Sequence, residues 1–287
     1  MKNMIFDSHA HYSDNAFSKD RDRILSGLKT NGVGYVVNAS AAAADIPLIK
    51  ELTEKYDFLY ATSGLHPTEL YTAESTDIVN RMRNSEDEAE IEGLSKLIVP
   101  AGDKEFSLIE DFLSEKKVLA VGEIGLDYHY EDTDKKLQKE WFERQIELAK
   151  SASAPIVIHS RDAAADTLDI VRATKANEIK GYVHCFSYEK EMAKIYMDMG
   201  YCLGIGGVIT YKNARKLVEI VEYMPLDLML LETDCPYLTP APFRGERNDS
   251  TMIKYVAERV AQIKGIDAEK VIQITEENAC RFYGMDQ

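Results

Sequence analysis

The chain has 287 residues, 45% of them hydrophobic and 29% charged, with a formal net charge of −15. That length and apolar content suffice for one large core, while the acidity argues against a long basic groove for nucleic acid. Nothing approaches the roughly 18 continuous apolar residues of a membrane span, the first apolar stretch is too short for a signal peptide, and the four cysteines are scattered without a C-x-x-C, as reduced thiols of a cytoplasmic protein would be.

Eight short apolar runs follow one another along the chain: 4–7, 33–39, 58–63, 118–122, 155–159, 181–184, 201–205 and 228–233. Runs of this kind, bounded by turn residues, read as parallel strands buried on both faces. Helical periodicity fills several of the gaps. Leu137, Trp141, Gln145 and Leu148 share one stripe, and Ile253, Val256, Ala257, Val260 and Ile263 form another, between capping candidates Asp249 and Ser250 and a stop at Gly265. A last helix is expected around 268–283. Strand and helix alternating about eight times predicts an α/β fold of the (β/α)8 barrel type in one domain, 1–287. An open doubly wound sheet is the runner-up, disfavoured because no Gly-x-Gly-x-x-Gly follows the first strand. Residues 71–105, with Glu74, Asp77, Glu86, Asp87, Glu88, Glu90, Glu92, Asp103 and Glu105, read as an acidic, solvated helical insertion between strands 3 and 4.

Ligand-type residues close most of these runs. His9 and His11 end strand 1, and residues two apart on a strand share a face, so both imidazoles can reach one ion. Asp7, just before them, is expected to accept the other ring N–H of a histidine. His66 follows strand 3. Glu123 closes strand 4, where its two oxygens suit it to bridge two cations, and Asp127 is a candidate supporting carboxylate. His159 and His184 close strands 5 and 6. Asp234 closes strand 8, where an acid can bind metal and also accept a proton from water. Each residue taken singly has an ordinary structural explanation. The ordered set His, His, Glu, His, His, Asp points instead to a metal site at the C-terminal mouth of a barrel. Nitrogen and oxygen ligands of this kind suit two divalent ions, Mg, Mn or Zn, about 3.5–4 Å apart. Arg161, and less clearly Lys212, Arg244 and Arg247, are candidates for phosphate contact. The Gly204-Ile205-Gly206-Gly207 turn could present backbone N–H groups to the same kind of ligand.

Asp7-Ser8-His9-Ala10-His11, Gly64-Leu65-His66-Pro67, Gly122-Glu123-Ile124-Gly125-Leu126-Asp127-Tyr128, Ile158-His159-Ser160-Arg161-Asp162-Ala163, His184-Cys185-Phe186-Ser187 and Glu232-Thr233-Asp234-Cys235-Pro236-Tyr237 together resemble the TatD family of metal-dependent deoxyribonucleases. Phe142-Glu143-Arg144-Gln145 and Arg244-Gly245-Glu246-Arg247-Asn248 add to the likeness, which runs in order from residue 7 to near residue 283. The resemblance implies a TIM barrel of the amidohydrolase-like group. It implies that His9, His11 and Asp234 hold one metal, that His159 and His184 hold a second, and that Glu123 bridges them. His66 and Arg161 would contact the substrate phosphate, and Glu232 would support a metal ligand from behind or be an accessory group on the metal or substrate side. Asp234 and Glu123 would carry the catalysis.

The expected activity is 3′–5′ exonuclease cleavage of DNA, single-stranded or at frayed ends, in the cytoplasm, with no membrane and no obligate protein partner. Cys235 departs from the family's usual Ser or Ala and Tyr188 from a common glycine. The segment 71–105 is longer and more acidic than usual, which would disfavour long duplex DNA if it overhangs the mouth. The alternative is another hydrolysis on the same site, of an aminoacyl-tRNA ester, an amide or a lactone. Glu123 stands where a lysine would have favoured the carbamylated-lysine amidohydrolases. A non-catalytic binding scaffold ranks lower, because it has no need for six ligands.

Overall fold

The computed structural model describes residues 3–130 and 134–285. Its strands are β1 (Ile5–Ala10), β2 (Val33–Asn38), β3 (Leu59–Ser63), β4 (Val118–Asp127), β5 (Ile156–Arg161), β6 (Gly181–Val183), β7 (Cys202–Ile205) and β8 (Met229–Leu231). They form one sheet in sequence order, every neighbouring pair parallel. The ring closes beyond β8, where Asp234 donates its backbone N–H to the His9 carbonyl (2.9 Å) and His11 donates to the Cys235 carbonyl (2.8 Å). The chain is therefore a (β/α)8 TIM barrel whose first and last strands are stitched together at three of the predicted ligand positions, His9, His11 and Asp234.

The helices are α1 (Arg21–Leu28), α2 (Ile46–Lys55), α3 (Thr76–Arg83), α4 (Glu88–Ser95), α5 (Asp103–Leu113), α6 (Lys135–Ala152), α7 (Ala164–Ala173), α8 (Lys190–Asp198), α9 (Arg215–Tyr223), α10 (Ile253–Lys264) and α11 (Ala268–Tyr283). Asp134 starts α6 by accepting from the N–H groups of Lys136 and Leu137, and Gly265 and Gly284 end α10 and α11 in the left-handed conformation that glycine adopts freely. Asp249 caps a short 3₁₀ turn, Ser250–Met252, which leads into α10.

Two apolar layers hold the barrel. The larger lies between strands and helices. The smaller fills the interior at the N-terminal end: Phe6, Val37, Ala120, Val157, Tyr182, Cys202 and Leu230 come from seven strands, and Phe282 and Tyr283 of α11 cover them from below. Side chains from so many strands can meet only inside the ring. Because alternate strand residues share a face, the next interior position above Val157 is His159, above Tyr182 is His184 and above Leu230 is Glu232.

Between β3 and β4 the chain leaves the barrel. Tyr71 and Pro100 pair in an antiparallel bridge that closes the excursion, and α3 and α4 lie within it. Asp103 and Glu105 instead belong to the first turn of α5, a barrel helix, where Glu105 is buried and accepts the Gly102 N–H (2.9 Å). Arg83 reaches back to Glu69 (2.6 Å) and ties the excursion to the loop that carries His66. Among the described residues no helix is long and apolar enough to cross a membrane.

Candidate metal centre

β4 runs five residues further than its apolar run, so Glu123 sits inside the strand rather than at its end. The pairing of β4 with β5 shifts register between Val121 and Ile124, and the Glu123 N–H goes to the Ser40 carbonyl (3.1 Å). That irregularity turns the carboxylate into the barrel. Glycines permit it: a Cβ on Gly122 would lie 2.6 Å from Val157 Cβ, and one on Gly125, at φ +144°, would lie 1.9 Å from the His159 carbonyl oxygen.

The two oxygens of Glu123 face different partners. Oε2 is 3.1 Å from His9 Nε2 and 3.5 Å from His11 Nε2. Oε1 is 2.7 Å from His184 Nε2, 2.9 Å from His159 Nδ1 and 3.5 Å from His66 Nε2. Asp234 Oδ1 completes the first side, 3.2 Å from His11 Nε2 and 3.8 Å from His9 Nε2. The ring nitrogens of His9 and His11 are 3.0 Å apart, as are those of His159 and His184. The structure thus brings together all six expected ligands and His66. Ligand atoms of His9, His11 and Asp234, of His9, Glu123 and His184, and of His66, Glu123 and His159 converge closely enough to share an ion.

Supporting bonds set the tautomers. Asp127 Oδ2 is 3.0 Å from His159 Nε2 and accepts its proton, which leaves the Nδ1 lone pair aimed at Glu123. The backbone N–H of Thr68 donates to His66 Nδ1 (3.1 Å), so the neutral ring carries its proton on Nε2, facing the site. His66 is therefore a donor into the cluster. Two glutamines of α6, missed in the sequence reading, hold these loops. Gln138 Oε1 accepts the Asp127 N–H (2.9 Å) while its Nε2 donates to the Pro67 carbonyl (3.1 Å). Gln145 brackets the backbone of Leu65, accepting its N–H at 2.7 Å and donating to its carbonyl at 3.2 Å. Two buried glutamines seven apart in an otherwise apolar stripe were the available signal.

The electrostatics are those of a site shaped for cations. Burial alone would raise the Glu123 carboxyl, but His184, His66 and His9 outweigh it and hold it well below the carboxylate range. Burial also raises Asp234, and the hydrogen bond and charge of His11 more than offset this. Burial and the neighbouring His184 push His9 down to about 4, and burial with His159 beside it takes His66 to about 3. For His11 and His184 burial lowers basicity, yet Asp234 and Glu123 raise them to about 9 and about 10. Buried imidazole nitrogens facing each other across 3.0 Å, with carboxylates between them, fit divalent ions that take nitrogen and oxygen. Sulfur is not needed: burial drives the Cys185 and Cys235 thiols far up, so neither offers a thiolate.

Several expectations need correction. Asp7 does not reach a histidine ring. Its buried carboxylate accepts from the N–H (3.0 Å) and hydroxyl (2.6 Å) of Thr233 and from the Ser250 hydroxyl (2.6 Å), because β1 breaks register with β2 between Asp7 and Ala10. Glu232 is fully buried, so of its expected roles the structure leaves support behind a ligand rather than contact with substrate. Its carboxylate accepts the Tyr182 hydroxyl and the Cys185 N–H (2.5 Å), and Gly204 packs against it, so it anchors the residue after His184 and is spent on the protein. The Gly204–Gly207 turn is likewise occupied by protein, since a Cβ on Gly207 would lie 2.0 Å from the Leu238 carbonyl oxygen. Arg247 is bound by Asp20 at 2.8 and 2.9 Å. Arg161 lies exposed at the end of β5, its guanidinium 6.0 Å from the centre of the Tyr130 ring.

The chain matches the family model for TatD related DNases over residues 6–284. It is 36% identical to the metal-dependent hydrolase YabD of Bacillus subtilis over 280 residues, covering 98% of this chain and 99% of that one. It is 31% identical to the metal-dependent hydrolase YcfH of Escherichia coli, covering 98% and 96%. Among solved structures, YjjV, a TatD homologue from Escherichia coli, superposes with a TM-score of 0.83 at 26% identity, covering all of both chains. A chain with this barrel, this cluster and these relatives belongs to the TatD family of metal-dependent hydrolases.

Proposed function

We propose that this hydrolase cleaves DNA phosphodiester bonds, shortening single strands or frayed ends from the 3′ terminus in the cytoplasm. The observation that carries this reading is the division of Glu123, whose two oxygens face separate imidazole pairs. His9, His11 and Asp234 would hold one divalent ion, His159 and His184 a second, and Glu123 would span both. What the ions add is Lewis acidity, which favours loss of a proton from water near neutral pH and offsets charge on phosphoryl oxygens.

The chain's own groups supply the rest. Asp234 reaches the reaction ionised and accepts the proton of the attacking water on its carboxylate. His66, neutral and protonated on Nε2, donates a hydrogen bond to a phosphate oxygen without adding charge. Asp127 keeps His159 in the tautomer whose Nδ1 faces Glu123. Arg161, exposed at the rim, suits two-pronged contact with a phosphate.

The test is an end-labelled single-stranded oligonucleotide incubated with metal-stripped protein to which Mg, Mn or Zn is restored, alongside Asp234→Ala. Stepwise loss from the 3′ end by wild type alone supports the reading. No shortening with any ion, from protein that binds metal stoichiometrically, overturns it and turns attention to ester and amide substrates.

A further inference from the structure

Arginines near the mouth fall into two sorts. Arg83 and Arg247 are bound by carboxylates, Glu69 and Asp20. Arg161 and Arg244 have no carboxylate partner among the described residues, although acids outnumber bases 49 to 34 in the chain. Each lies instead over a tyrosine: Arg161 over Tyr130 at 6.0 Å and Arg244 over Tyr211 at 4.6 Å. Both arginines are exposed, in loops or strand ends on the side that carries the metal ligands. In the sheet β6, which leads to His184, stands between β5, which ends at Arg161, and β7, which precedes Tyr211.

The Arg244 pair is built before any ligand arrives. The Tyr211 hydroxyl donates to the Thr239 carbonyl (3.0 Å), the Ala241 N–H to Thr210 Oγ1 (2.8 Å), and Thr239 Oγ1 to the Glu246 carbonyl (2.5 Å). Asn248 Nδ2 donates to the Tyr237 carbonyl (2.7 Å) and pins the far end of the loop. A fixed loop presenting a free guanidinium loses little freedom on binding an anion. A planar guanidinium over a ring also offers a stacking surface for a base.

We infer that Arg244 with Tyr211 forms a second nucleotide subsite, gripping the phosphate next along a single strand from the one at Arg161. The inference rests on the DNA-cleaving reading and deepens it: the preferred ligand is a strand with at least two consecutive phosphates. A strand held at both would cross the end of β6, where His184 stands.

The test is the binding of a fluorescent, non-hydrolysable phosphorothioate pentanucleotide to the Mg-loaded protein, followed by anisotropy across a salt series. Arg172→Ala, which removes the same charge at the C-terminal end of α7, is the control. Arg244→Ala is expected to weaken pentanucleotide binding about tenfold relative to that control. The slope of log affinity against log salt should shrink by about 0.7, the share of one phosphate on a single strand. Affinity for a dinucleotide with a single phosphate should fall far less, and Arg244→Lys should keep the salt slope. Equal affinity and equal slope for Arg244→Ala and Arg172→Ala would overturn the inference, as would equal losses on both ligands. If wild type shortens DNA yet Arg244→Ala binds like the control, this inference alone fails. If wild type neither binds nor shortens the strand, the DNA reading fails and takes the inference with it.

Discussion

The barrel interior has two levels, and the same strands build both. Below, Val157, Tyr182, Leu230 and Phe6 pack against Phe282 and Tyr283, with Phe6 stacked on Tyr283 at 5.9 Å between ring centres. Above, two residues further on, stand His159, His184 and Glu232, with Glu123 and His9 beside them. The lower level is apolar and closely packed, and its Tyr182 hydroxyl reaches up to Glu232. In the upper level carboxylates and imidazoles crowd together, and without a cation they depend on each other's protons. The lower level carries stability and the upper level carries chemistry, and alternation along a strand is enough to separate them.

The sharpest way to break that division is to strike the upper level. Glu123→Ala should reduce kcat/KM at least about a thousandfold, roughly 4 kcal/mol, since it removes the group common to both imidazole pairs. Steady-state kinetics with far-ultraviolet circular dichroism checks this, and near-native turnover from a folded variant would be incompatible with the site. The complementary stroke is Phe6→Ala. It should cost about 3–5 kcal/mol in urea unfolding, as large-to-small changes in a packed core do, while folded molecules keep their activity. If Phe6→Ala lost activity and no stability, the two levels would not be separable.

Asp127→Asn sharpens the comparison within the upper level. Burial alone would raise the Asp127 carboxyl, and the His159 ring N–H more than compensates. Losing that acceptor should weaken metal affinity about 10- to 100-fold by titration calorimetry.

Protons offer a smaller probe. In the metal-free protein His11 and His184 hold protons up to about pH 9 and about pH 10. An entering ion must displace them, so affinity should rise with pH through the neutral range, with proton release detectable in buffers of differing ionisation enthalpy. The same shifts set the sign for stability. Their folded values lie above the ordinary 6.5, so the stabilisation is complete below about pH 6.5 and is lost as pH climbs through about 9 to 10. A metal-free protein that grew more stable over that window would contradict the assigned contacts.

The smallest expected effect concerns the excursion between β3 and β4. Replacing 76–95 with a short flexible link removes exposed acids and should lower KM for duplex DNA a few-fold, leaving single strands little changed.

Much of this was legible without the fold. Eight apolar runs set the eight strands, because strands covered on both faces must be apolar throughout. His9, His11, His159, His184 and Asp234 were visible because a polar residue closing such a run has few places to go but the mouth. Local helix signals held too: Gly265 stops α10, and α11 spans the stretch anticipated for it.

Other features needed the tertiary structure. Glu123 was expected at a strand end and lies inside β4, because the register shift against β5 is a relation between two strands. Asp7 was expected against a histidine ring and turns instead to Thr233 and Ser250, and which backbone Glu232 supports, that of Cys185, shows only in the fold. Gln145 read as a member of a helix stripe and Gln138 had no reading, and only folding brings Leu65 and Asp127 to them. By itself the sequence determined which residues can be strand, helix and ligand, since burial and periodicity are local. Which oxygen of Glu123 meets which imidazole pair, and which nitrogen of His66 and His159 carries the proton, were decided by hydrogen bonds and contacts with neighbouring segments, and those exist only once the barrel has closed.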